Sequence, residues 1–100
     1  MHGRHQLDTL VFQMHKETTS MTEALLRAKN SQIIEPAFIK KLAALKDNLD
    51  MVAAATKRYN ENNKKGDSLQ LVRVAMVQLD EAVQGFAYLD KLLDLEHAEL

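Results

Sequence analysis

Four histidines, three serines and fourteen carboxylates are the side chains of this 100-residue sequence that could ligate a metal or serve a nucleophile, and cysteine is absent. His2 and His5 are three residues apart, as are Asp94 and His97, so each pair would meet on one helical turn. Both pairs lie near an end of the sequence, where helices fray, and a metal centre needs three or four ligands held rigidly by hydrogen-bonded neighbours. His15 stands alone, and the paired Glu-x-x-His motifs of diiron bundles are missing. No metal and no cofactor is expected, and the lack of cysteine excludes thiolate ligands and disulfides outright.

Acid–base and nucleophilic chemistry find no better footing. Ser20, Ser31 and Ser68 each occupy a position that helix capping or a turn accounts for, and none has His and Asp at a recognisable spacing. Asp80-Glu81, and Asp94 with Glu96, read as solvated helix faces. The glycines, at positions 3, 66 and 85, cannot build a phosphate-cradling loop. The sequence reads as that of a non-enzymatic protein.

A basic cluster of Lys57, Arg58, Lys64 and Lys65 surrounds Tyr59 and could touch phosphates. However, Tyr59 continues an apolar seam, Lys57 and Arg58 suit a helix C-terminus, and the net charge is −1, so nucleic acid is not the expected partner. The charge is unevenly spread. Residues 1–66 carry 11 Lys and Arg against 7 Asp and Glu, whereas residues 67–100 carry 2 against 7. No apolar run approaches the roughly 20 residues that cross a bilayer, and Leu10-Val11-Phe12 is too short for a signal-peptide core. A cytoplasmic protein with no membrane partner is expected.

These side chains hang on a chain whose composition favours helix. Three glycines and one proline leave little to interrupt it, and 100 residues hold one hydrophobic core, hence one domain spanning residues 1–100. The clearest helix runs over about 36–60. Phe38, Leu42, Leu45, Leu49, Val52, Thr56 and Tyr59 recur at spacings of four and three, a coiled-coil-like heptad seam. Pro36 suits the first helical position, Ile34 and Ile39 are placed to staple the incoming chain, and the turn formers from Asn60 to Gly66 end the helix.

A third helix is predicted over about 68–97, with Asp67 as its cap and Gln70 completing a capping box. Leu69, Val72, Met76, Leu79, Val83, Phe86 and Leu93 form one seam. Beside it runs a second, of Leu71, Ala75, Ala82, Gly85, Leu89 and Leu92, while Val74 and Val77 add further apolar surface. The β-branched stretch 69–77 resembles a strand, but no second segment could pair with it. The first helix, over about 5–29, keeps its period through Leu7, Leu10, Met14, Met21, Leu25 and Ala28. Lys16 to Ser20 supplies no apolar residue, so a break near residue 19 is an alternative to one continuous rod, which three helices of matching length favour. Short connections make neighbours antiparallel, giving an all-α, up-down-up three-helix bundle.

In size and helical layout such a chain looks like the small helical chaperones and adaptors of bacterial secretion and flagellar export. The likeness is one of shape, with no diagnostic motif, and implies no particular binding residue.

The third helix is apolar over a wider arc than a three-helix bundle requires. Either it lies most centrally, or the small-residue stripe is a groove for a helical partner, which small side chains let approach closely. The expected binding residues are Leu71, Val74, Ala75, Val77, Ala82, Gly85, Leu89 and Leu92. The expected partner is another protein, bound by an adaptor, chaperone or regulator, with a second copy closing a homodimer as the alternative. A small-ligand or catalytic bundle is the third reading. Glu17 and Asp90 fall where the heptad calls for an apolar residue, a pattern that in some bundles sets register or partner choice.

Overall fold

The computed structural model contains three α-helices, α1 (His2–Ala28), α2 (Pro36–Glu61) and α3 (Ser68–Glu99), and every pair of them is in contact. It describes the backbone of residues 2–61 and 68–99, with the side chains of 7–59, 61 and 70–98. The run from Asn62 to Gly66, the Asp67 cap, and the side chains of His2, His5 and Leu69 lie outside the described residues. The bundle is a rod of about 53 × 21 × 17 Å. No strand occurs among the described residues, so the 69–77 stretch is helical as its lack of a pairing partner required.

Helix α1 runs unbroken through its polar stretch because the hydroxyls there bond to their own helix. Thr18 Oγ1 and Thr19 Oγ1 each donate to the His15 carbonyl at 3.0 Å, and Thr22 Oγ1 donates to the Thr18 carbonyl at 2.9 Å. Each hydroxyl is satisfied without leaving helical geometry, so Ser20 starts no new helix. Thr18 also fills the gap in the apolar stripe, buried between Met14 and Met21 along the helix.

Helix α2 begins at Pro36, with the Glu35 carbonyl accepting the N–H groups of Phe38 at 3.0 Å and Ile39 at 3.3 Å. Ile34 is buried and Ile39 packs against the core, which places both members of the expected staple. Leu42, Leu49 and Thr56 are fully buried, while Phe38, Leu45, Val52 and Tyr59 flank them. Thr56 tolerates the interior because its Oγ1 donates to the Val52 carbonyl at 2.7 Å.

Helix α3 overturns the expectation of a groove along the small-residue stripe. Ala75, Ala82 and Leu89 are 0% exposed, and Leu71, Gly85 and Leu92 are half-buried. A Cβ built on Gly85 would lie 2.8 Å from Leu42 Cδ2 and 3.6 Å from Leu45 Cδ1. The helix that approaches the stripe closely is therefore α2 of the same chain. Absent side chains let two backbones come together, and the nearest available backbone was intramolecular. Ala75, Ala82 and Leu89 belong to the core and cannot receive a partner while the bundle is closed.

Candidate interaction seam between α1 and α3

Because α2 takes the small-residue side of α3, the bulkier seam turns toward α1, where it is only partly covered. Val72, Phe86 and Leu93 are buried, but Met76 is 56% exposed and Val83 37%. About three turns of this seam line a groove of about 640 Å³, formed by Val72, Met76, Leu79, Asp80 and Val83 of α3 against Thr9, Leu10 and Gln13 of α1. Its openness has a local cause. Two of the three residues that α1 contributes are exposed polar side chains, so the apolar atoms of α3 find little to pack against.

Further along the same two helices, a smaller crevice of about 130 Å³ is lined by Glu17, Ser20, Met21 and Ala24 of α1 and by Val83, Phe86, Ala87 and Asp90 of α3. Val83 belongs to both hollows, so they form one continuous seam. It extends over about 15 residues of α1, from Thr9 to Ala24, or roughly 22 Å at 1.5 Å per residue.

The two polar intrusions meet here. Glu17, half-buried, and Asp90, exposed, sit on opposite walls of the smaller crevice, and neither is paired with a described residue. With Asp80, which accepts a hydrogen bond from Gln84 Nε2 at 3.0 Å, they make three carboxylates along the seam. Lys16, Arg73 and Lys91, the cations of these stretches, are all exposed and line neither hollow.

Of the residues expected to bind a partner, Val74 and Val77 do reach solvent, Val77 at 61% exposure. Successive helical residues are turned by about 100°, so Val77 looks away from the seam that Met76 lines. Among the described residues, no group of three or more His, Asp or Glu side chains comes together to hold a metal, and no helix is long and apolar enough to cross a membrane.

At the far end of the rod, a polar latch joins the α1–α2 connection to α3. Ser31 Oγ donates to Glu96 Oε1 at 2.5 Å, and the Gln32 N–H donates to Glu96 Oε2 at 2.9 Å. The same Ser31 oxygen accepts the N–H groups of Ile33 at 3.2 Å and Ile34 at 3.1 Å. The Ser31 hydroxyl, and secondarily the Gln32 N–H, hold the Glu96 carboxyl below its ordinary value of 4.5, against a small opposing effect of desolvation. Arg27 and Asp94 add an exposed ion pair nearby at 3.8 Å. Glu96 had read as part of a solvated face, and its partner is 65 residues away in sequence, beyond the reach of any periodic pattern.

Comparison with models of known protein families, with curated proteins and with solved structures found no significant match to this chain.

Proposed function

We propose that this chain is a non-enzymatic protein-interaction module that receives a helix of another protein along the α1–α3 seam. The observation that carries this reading is the groove of about 640 Å³ in which Met76 and Val83 stay exposed beside Leu79 and the buried Val72 and Leu10. A contiguous apolar groove between two parallel helices is the surface on which an amphipathic helix lays its own apolar face, with anchors at every third or fourth residue. The occupant would stand as a fourth helix beside the three, exchanging water on Met76 and Val83 for hydrocarbon.

The test uses two exposed apolar residues that are neighbours in sequence but face different ways. Protein-interaction partners are captured from native lysate with the wild-type chain, with Met76→Asp and with Val77→Asp, after circular dichroism shows that all three are folded. Loss of the captured set with Met76→Asp but not with Val77→Asp is the expected result. Equal capture by all three baits would remove the seam from consideration. Light scattering over a dilution series separates a heterologous partner from self-assembly, since a homodimer on this seam dissociates on dilution. A small apolar ligand is the second reading, favoured by a volume inside the range of about 300–1,000 Å³ typical of ligand sites. Such a ligand would bind the purified chain with no protein partner present.

A further inference from the structure

The seam carries charge of one sign, and from this we propose that its occupant is a basic amphipathic helix, with Lys or Arg flanking the apolar anchors. The inference rests on the interaction reading above and adds the chemistry of the partner. Glu17, Asp80 and Asp90 are spread along the walls of the two connected hollows, and no Lys or Arg is among the described lining residues. Glu17 and Asp90 have no ion-pair partner among the described residues to neutralise them. An apolar helix entering the seam would strip water from these carboxylates and leave them unpaired, which is costly; one that brings cations to them replaces the lost hydration.

A second copy of the chain is a poorer occupant. In a two-fold dimer the same surface meets itself, so the seam's carboxylates would face the seam's carboxylates with no lining cation between them. A helix with an acidic rim would meet the same repulsion. The geometry suits a helix of about 15 residues, the length over which the seam runs, with its anchors directed at Leu10, Met76 and Val83.

The probes are two synthetic amphipathic peptides of that length with the same apolar face, one with Lys at the flanking positions and the other with Glu. Fluorescence anisotropy gives each Kd at 20 and 300 mM salt, for the wild type, for Met76→Asp, and for a Glu17→Gln, Asp80→Asn, Asp90→Asn triple variant whose fold is checked by circular dichroism. The expected result is that the Lys peptide binds wild type at least tenfold tighter than the Glu peptide at low salt. That preference should shrink toward unity in 300 mM salt and in the triple variant, and Met76→Asp should weaken both peptides. Equal binding of the two peptides, both weakened by Met76→Asp, overturns the basic occupant and leaves the docking reading standing. Binding of neither peptide to folded protein, or binding that Met76→Asp does not weaken, overturns both. Self-association of the wild type in light scattering that Met76→Asp abolishes would make a second copy the occupant and overturn the inference as well.

Discussion

Gly85→Ala sets two opposing effects against each other, and the structure decides which one dominates. In the middle of an exposed helix the change is favourable, because Ala is about 1 kcal/mol better than Gly in a helix interior. At this position the new methyl would sit 2.8 Å from Leu42 Cδ2, whereas ordinary contact starts at 3.4 Å, so one side chain or backbone must yield by several tenths of an ångström. Leu42 is 1% exposed and has no solvent to swing into. Overpacking a closed core costs about 1–3 kcal/mol. The balance is a net loss of about 1 kcal/mol, equivalent to a fall of roughly 4–8 °C in Tm for a domain this size.

A double-mutant cycle makes the reasoning specific. Leu42→Ala alone should cost about 2–5 kcal/mol through the cavity it leaves. Combined with Gly85→Ala, the new methyl enters vacated space and the helix-propensity gain is recovered. The double variant should then be more stable than the sum of the two single changes predicts, by at least about 1 kcal/mol. Urea unfolding of the four proteins, monitored by circular dichroism at constant m-value, supplies the cycle. A Gly85→Ala variant more stable than wild type by the full propensity difference, with no coupling to Leu42, would refute the close approach of α2. It would return the small-residue stripe to the surface.

Three further outcomes are expected. Thr56→Val should leave the protein as stable as wild type or up to about 1 kcal/mol more stable in denaturant unfolding, because the Val52 carbonyl keeps its backbone N–H partner in the helix and Val fills the same fully buried volume; a clear loss of stability would mean that the hydroxyl has a second role. Glu96→Gln should lower Tm at neutral pH. Because the folded-state pKa of Glu96 is depressed, its contribution is present above the unfolded value of 4.5 and lost as pH falls through the folded value, so the Tm gap between wild type and variant should close in strongly acidic buffer; a gap independent of pH would refute the latch as a charged interaction. Asp90→Leu, on the lip of the seam, should raise stability by less than about 1 kcal/mol and promote self-association in light scattering; greater stability with unchanged assembly would remove any role for Asp90 in partner choice.

The fold was legible because its signals are local and repeated. Every third or fourth residue of α2 from Phe38 to Tyr59 is apolar or, at Thr56, a hydroxyl that can return its bond to its own helix, and Pro36 marks where the helix starts. The continuity of α1 was harder to read, since Ser20 with Glu23 imitates a capping box and only the back-bonding of Thr18, Thr19 and Thr22 shows why no cap was needed. The Ser31–Glu96 latch left no trace in any spacing. A single hydroxyl and a single carboxylate carry it, and both also suit the ordinary roles of turn and solvated face.

The error about the seam follows from what periodicity can report. Spacing along α3 gives the width of its apolar arc, and Met76, Val77 and Val83 are among the residues of that arc left in solvent. Spacing does not say which edge of the arc is covered. Side-chain volume decides that, in the opposite sense to the one first assumed. The Ala75, Ala82 and Gly85 edge permits the closest approach, so α2 occupies it and a fully buried layer forms around Leu42 and Leu89. The Val72, Met76 and Val83 edge faces α1, which meets it partly with Thr9 and Gln13 and leaves Met76 and Val83 in water. In this bundle the small residues mark the interface made within the chain. The proposed docking site therefore lies on the bulky edge, where Met76 and Val83 remain in water.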